Sequence, residues 1–542
     1  MGVYGPGQGQ QLHVHMLVAS LWASLTAGFV YSFSAYSGAL RGRFNLSQPQ
    51  IWIVGEAHVT MHFFTFTCGL LVDTLGVRTV LIFGSSLNAM CWFIFGAIAI
   101  LELNVPHGVL VFTLLTAGAT YGAACTVAAV FSALAKNFGK ERGAAIGIAK
   151  AWSGVASGIL LTIFMSIFPS SDHDPQRLIF LWVLAGSIVV LALLPSPLIR
   201  VLSTSTAPLK AHVVREDRHR YRRQLWLLTG ATLLLICVTV GASLVNTHAP
   251  QGVPVALSVL MVTCIFMPGW LLLPGQSCLG LDPALARGLA ASGAEGHEEG
   301  EAGGSRVVAA SLGPLEVVRQ LDAWLLWLAV FALHTGAFLL TTNLADKTNH
   351  RRGLFTLVIC YSTSQSLGRL FGGFLSDALV QRRVARPWCL AILLLCMACS
   401  QLLFDTPGTW LQCVGICLAG WALGSMYPVL VCTVAEIFGT ARIASNYMIF
   451  DGTPMAMACI VVARIWGHNP QFILLDGREA MHGIPSGSSH HAQTGTVFAC
   501  AAVLQVVAAA GAVVLAIRTR PLYSSGVPPH AEDAGEVASH AA

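Results

Sequence analysis

Gly69-Leu70-Leu71-Val72-Asp73-Thr74-Leu75-Gly76-Val77-Arg78 closes one long apolar run, and Gly373-Phe374-Leu375-Ser376-Asp377, with Arg382 and Arg383 beyond it, closes another. The two aspartates stand 304 positions apart. Phe138-Gly139-Lys140-Glu141-Arg142 returns 300 positions later as Phe438-Gly439-Thr440-Ala441-Arg442. Gly118-Ala119-Thr120-Tyr121-Gly122 is echoed 302 positions on by Gly420-Trp421-Ala422-Leu423-Gly424. Three motifs in one order at a nearly constant offset mark an internal duplication.

Composition places that duplication in a bilayer. The 542 residues are 55% hydrophobic and only 10% charged, with a mean hydropathy of +0.69. A water-soluble globular chain carries roughly 25% charged residues, so that class is excluded. The net charge of +5 is too small and scattered for a nucleic-acid binder. Of the 15 cysteines only Cys278 lies in a polar stretch, so they read as small buried hydrophobes and not as a disulfide framework.

A spanning helix needs about 20 mostly apolar residues. Such runs lie near 12–36, 51–71, 79–101, 108–131, 143–168 and 178–199, then 225–246 and 255–274, then 322–344, 353–376, 386–405, 409–435, 443–466 and 495–518. The alternating strands of an outer-membrane barrel are absent. The expected fold is an all-α polytopic membrane protein, a bundle of two pseudo-symmetric six-helix halves plus two extra central helices. Its expected parts are a tail 1–11, a first half 12–200, a basic linker with the inserted helices 201–274, a flexible acidic linker 275–321, a second half 322–518 and a disordered tail 519–542.

The first residues lack the basic region and short apolar core of a cleavable signal, so the first span is expected to direct insertion. Lys and Arg cluster in alternate loops, as in Arg78, Lys136, Lys140, Arg142, the run Arg215–Arg223, Arg382, Arg383 and Arg386. By the positive-inside rule these loops and both termini are cytoplasmic. The plasma membrane is the expected residence.

Ionisable side chains inside spans cost about 2.5–3.5 kcal/mol on insertion scales and mark functional sites by default. Lys150 lies eight residues past Arg142, about 12 Å into the membrane at 1.5 Å per residue. Asp451, nine residues past Arg442, is its counterpart in the second copy. A lysine and an aspartate at similar depth suit an anionic substrate, a gating ion pair or a protonation switch. Gln365 and Arg369, one helical turn apart, are placed to face Lys150. Glu56, His58 and His62 share the second span, and His334 lies in the seventh span of the twelve-helix repeat. Histidine near its ordinary pKa carries protons at physiological pH, which makes proton coupling an expectation. The spacing of His58 and His62 also suits a weak metal site, with hydrogen bonding between helices as the alternative, while a loop holding His468, His482, His490 and His491 reads as a solvated loop before a metal-collecting one. Asp73, past the end of the second span, is placed to pair with Arg142 or with amides at a helix N-terminus when that side is closed.

The loop Gly69, Asp73, Gly76, Arg78 resembles the hallmark loop of the major facilitator superfamily, with Thr74 where that pattern has a basic residue. Its second copy keeps Gly373 and Asp377 but has Val380 where the second glycine belongs. Gly28–Ser37, Gly147–Gly154 with Lys150, Leu367–Gly373 with Arg369, and Ala435–Gly439 followed by Asn446 and Tyr447 resemble the nodulin-like branch. The two inserted helices fit that branch as well. The resemblance implies alternating access, a latch formed by Gly69, Asp73, Gly76, Arg78, Arg142, Gly373, Asp377 and Arg442, and transport of a small solute, iron among those linked to the branch. No Walker A motif or catalytic constellation is present in the loops, so an enzyme is not expected and any pumping draws on an ion or solute gradient. The expected function is a secondary transporter for a small organic anion, a metabolite or a metal ion, with no cofactor, no partner beyond bilayer and solute, and a monomeric state. The competing reading is a sensor on a transporter scaffold that binds solute without moving it.

Overall fold

The computed structural model describes residues 6–103, 105–139, 141–168, 174–201, 211–245, 252–272, 312–344, 351–406, 408–467 and 488–525. Among them there is no strand. Inside hydrocarbon every backbone amide and carbonyl needs an internal partner, and a helix supplies one within each segment. The principal helices are α1 (Pro6–Ala27), α2 in two pieces (Gln48–Met61 and Phe66–Leu75), α3 (Val77–Ile100), α4 (Gly108–Asn137), α5 (Arg142–Ile167), α6 (Phe180–Ile188), α7 (Ala211–Val245), α8 (Gly252–Phe266), α9 (Leu321–Thr342), α10 (Arg351–Gln381), α11 (Pro387–Asp405), α12 (Thr409–Ile437), α13 (Ile443–Gly467) and α14 (Ser488–Arg518). Twelve helical stretches among the described residues are long and apolar enough to cross a membrane. The other two expected runs are α2, broken at its middle, and α10.

The breaks in α1 and α2 both border one cavity. α1 gives way after Gly28 to a 3-10 stretch, Phe29–Ala35. A Cβ on Gly28 would collide with the Ser153 carbonyl of α5, so only glycine lets the two backbones approach there. α2 is interrupted by a 3-10 turn, His62–Phe64, where Gly452 of α13 lies against the His62 carbonyl and Thr65. The sixth expected span is likewise irregular, with a π-helical segment at Val189–Leu193.

The halves meet through two equivalent pairs, α2 against α13 and α5 against α10. Each pair has a glycine where the backbones touch. A Cβ on Gly69 would strike the Ala444 carbonyl, and one on Gly373 would strike the Gly143 carbonyl. Gly69 and Gly373 are repeat-equivalent, as are Gly143 and Ala444 to within three positions of the same offset. This reciprocity is the two-fold relation that the duplicated motifs lead one to expect.

The inserted helices pack on the flank of the first half. Trp152 Nε1 of α5 donates to Thr232 Oγ1 of α7 at 2.9 Å, and Ser258 Oγ of α8 donates to Ser166 Oγ at 2.7 Å. Trp226 of α7 also stacks on Phe374 of α10, with centroids 5.3 Å apart. Large apolar side chains such as Phe83, Met90, Phe93, Trp226, Val503 and Val507 are exposed on the outer surface, where the acyl chains lie.

Two segments are more ordered than their composition suggests. Residues 312–320, expected as the end of the acidic linker, form a short helix (Pro314–Val318) with Val317 buried. Leu312 holds this segment to the second half through the Phe438 carbonyl and the Asn446 amide. Likewise Arg520–Ser525, at the start of the expected disordered tail, is helical, with Thr519 buried beside it. The rest of the acidic linker, 275–311, Cys278 included, and the tail 526–542 lie outside the described residues, as do His468 and His482.

Candidate substrate site and latches

α5 and α13 place Lys150 and Asp451 at repeat-equivalent positions, 301 apart. Two-fold-related positions close to the axis must face each other. Two like charges there would repel, and the copies instead carry opposite ones. Lys150 Nζ lies 3.6 Å from Asp451 Oδ1, with the lysine 6% exposed. The ammonium is further held over the rings of Phe131 at 4.4 Å, Tyr427 at 5.0 Å and Tyr447 at 5.5 Å. Tyr447, one turn before Asp451 on α13, donates its hydroxyl to the same carboxylate oxygen.

Arg369 of α10 comes to the pair from the other half of the seam. Its guanidinium lies 4.9 Å over the Tyr427 ring and donates to the Lys150 carbonyl at 3.3 Å and to Ser153 Oγ at 3.4 Å. Lys150, Asp451, Arg369, Ser153, Tyr31 and His62 line a central cavity beside the breaks of α1 and α2. Its volume is about 60 Å³, room for a few waters.

The histidines take fixed roles. A carbonyl can only accept, so Nδ1 of His58, His62 and His334 donates to the carbonyls of Gly55 (2.5 Å), His58 (2.7 Å) and Val330 (2.9 Å) respectively. In the neutral ring Nε2 is then the acceptor. For His334 it accepts from the Tyr427 hydroxyl at 3.3 Å, so His334 stands behind the cavity wall and steers the tyrosine. His62 lines the cavity itself, while His58 meets the Tyr31 ring edge-on with centroids 6.0 Å apart. Glu56 is exposed on α2, accepting from Cys459 Sγ of α13 at 3.7 Å.

Three expectations change here. Gln365 does not join Arg369 in the cavity; its backbone serves instead as the surface on which Gly424 of α12 packs. His58 and His62 have no third ligand, since no group of three or more His, Cys, Asp and Glu able to hold a metal occurs among the described residues. Asp73 does not pair with Arg142, whose Nε donates to the Ala135 carbonyl at 2.8 Å.

The aspartates of the duplicated loops instead cap helices across the seam. Asp73 Oδ2 accepts from the Ser445 amide at 2.8 Å and its hydroxyl at 2.6 Å, in the first turn of α13. Lys136 Nζ lies 3.6 Å from Oδ1. Asp377 accepts from the amides of Gly143 at 3.1 Å and Ala144 at 2.8 Å, in the first turn of α5. A carboxylate at a helix N-terminus satisfies orphan amides and meets the positive end of the helix dipole. These are the helix-terminus donors that the sequence offered as the alternative to Arg142.

Asp377 has a further partner that no motif announced. Arg386 Nη2 donates to Asp377 Oδ1 at 2.8 Å, and its Nε reaches both oxygens of Glu436 at 2.8 and 2.9 Å. Tyr523, in the short helix after α14, donates its hydroxyl to Glu436 Oε2 at 2.7 Å. Burial and the neighbouring carboxylate push that phenol well above its usual range, so it remains a donor. The signal for Arg386 lay in the missing glycine. At Gly76 the first copy turns with φ +88, a conformation suited to glycine, and α2 ends at Leu75. With Val380 at the matching position α10 runs on to Gln381, the turn falls at Arg383 (φ +63), and Arg386 returns to Asp377. Arg78 and Arg442 are exposed, and the Arg442 guanidinium lies against Gly313 of the linker's end.

Residues 13–269 match the family model described as Nodulin-like. No curated protein matches the chain by sequence. Among solved structures, the proton:xylose symporter XylE of the major facilitator superfamily, bound to 6-bromo-6-deoxy-D-glucose, aligns over 92% of this chain and 94% of its own. The TM-score is 0.52 at 14% identity. At that identity the likeness is one of fold alone.

Proposed function

We propose that this chain, nodulin-like over residues 13–269 and built on the major facilitator fold, is a secondary active transporter that moves a small solute by alternating access. The observation that carries the reading is the Lys150–Asp451 ion pair, formed by equivalent positions of the two halves where they meet. Rocking one half against the other must lengthen or break that contact, so its strength enters the conformational equilibrium directly. Broken helices beside the site are the usual way a membrane bundle frees backbone groups for a solute.

The Asp73 and Asp377 caps close one face of the seam. By the distribution of Lys and Arg that face is cytoplasmic, and this conformer is closed to the cytoplasm. Opening it separates Ser445 from Asp73 and α5 from Asp377, at a cost of a few kcal/mol that a solute or an ion recovers on the other side. Asp451 is the group that exchanges a coupling proton: protonation removes the charge that holds Lys150, and His62 on the same cavity wall offers an accepting Nε2.

Reconstitution into proteoliposomes tests this. Radiolabelled solutes presented with a pH gradient are expected to be taken up, and Lys150→Ala to reduce uptake at least tenfold while the protein still inserts and elutes as a single species. Normal flux in that variant would remove the ion pair from the mechanism. Saturable binding with no flux under any gradient would identify a sensor.

A further inference from the structure

Two arginines of the second half are buried, and the bundle treats them differently. Arg386 is 2% exposed and lies between the carboxylates of Asp377 and Glu436. Arg369 is 7% exposed and, among the described residues, forms no ion pair with a carboxylate within 4 Å. Among the described residues its two hydrogen bonds, at 3.3 and 3.4 Å, go to a carbonyl and a hydroxyl, and its Nε has no partner. A charge removed from water without a counter-charge is costly, which is why buried charges are almost always paired. Here the uncompensated guanidinium lines the central cavity.

The charge balance of that cavity points the same way. Lys150 and Arg369 contribute two positive charges and Asp451 one negative charge, and the ion pair cancels one of each. One positive charge remains, on a planar donor group suited to a carboxylate. The rest of the wall is uncharged: an apolar part, with Ala27, Val30, Ala123 and Val127 from the first half and Met448 and Met455 from the second, and a polar part of hydroxyls and the His62 ring.

We propose that Arg369 is the anion-binding residue of the site and that the solute is a small monocarboxylate, its carboxylate on the guanidinium and its short aliphatic body against the apolar wall. This rests on the transporter reading above and narrows it. A dianion such as succinate or phosphate would overcompensate the one free charge while Asp451 is ionised. A metal cation or an organic cation would enter a site already positive. Tyr427, held by His334, fixes the guanidinium from the face opposite the solute.

The test uses the purified full chain in proteoliposomes with labelled lactate, pyruvate and propionate, against succinate, inorganic phosphate, choline and ferrous iron. Saturable binding of at least one monocarboxylate is expected, with no competition by choline or iron. Arg369→Gln should raise its Kd about 10- to 100-fold, the loss of a charge-assisted pair, and Arg369→Lys should restore part of it. Preference of the unaltered protein for choline, iron or phosphate, or no binding of any monocarboxylate, overturns the proposal without relying on a variant that folds. Monocarboxylate binding without flux sustains it and defeats the transporter reading. Flux of another class without monocarboxylate binding does the reverse.

Discussion

Asp73 and Asp377 are copies of one residue, and the two halves hold them in different ways. The Asp73 carboxylate takes one amide and one hydroxyl from Ser445 and stands near Lys136, which is itself partly exposed. The Asp377 carboxylate takes two amides from α5 and sits against the fully buried Arg386, which Glu436 and, through it, Tyr523 complete. Position 136 of the first half corresponds to position 436 of the second, so a lysine beside one aspartate has become a glutamate beside the other's arginine. The first latch is the looser set, one serine and a lysine 3.6 Å away with no guanidinium between carboxylates. The second is built round Arg386, 2% exposed and bonded to two carboxylates, so that its members depend on one another.

That contrast can be broken at its strongest point first. Asp377→Ala leaves Arg386 buried with one carboxylate and uncaps α5; breaking a buried pair costs about 3–5 kcal/mol. A large drop in the thermal unfolding midpoint in detergent is expected, and an unchanged midpoint would mean the cluster is not compensated as its geometry indicates. Asp73→Ala removes a cap worth about 0.5–2 kcal/mol. Its expected effect is a several-fold rise in labelling of a cysteine placed at Ser445 from the latch face, with the midpoint little changed. Lys136→Gln is the smallest step, at most about 0.5 kcal/mol for a partly exposed pair. Labelling at Ser445 close to that of the unaltered protein is expected, and an effect as large as that of Asp73→Ala would show that Lys136, and not the amide, holds the first latch.

Much of the seam was legible in the sequence because duplication copies spacing. The offset of about 300 by itself pairs Asp73 with Asp377 and Lys150 with Asp451. It did not say how the copies differ. Gly118-x-x-x-Gly122 and Gly420-x-x-x-Gly424 are one motif, yet Gly122 packs on Gly84 and Asn88 of α3 while Gly424 packs on Gln365 of α10. Small residues permit close approach without naming the partner. Gln365 was misplaced for the same reason: it shares a helix face with Arg369, but one turn away the neighbour changes, and there Gly420 and Gly424 of α12 pack against the Gln365 backbone where Arg369 meets the cavity.

What the sequence determined by itself was local or periodic. Apolar runs long enough to cross hydrocarbon, the bias of Lys and Arg among loops, and the repeat of glycines and carboxylates each depend on residues close in the chain or on an offset that can be counted. What the tertiary structure decided was compensation. Whether a buried charge is paired, as Arg386 is by Glu436 fifty positions away, or left without a carboxylate among the described residues, as Arg369 is, depends on groups that the chain brings together only when it folds. Coulomb energies depend on distance in space, and no spacing along the chain encodes that distance once the partners come from different helices.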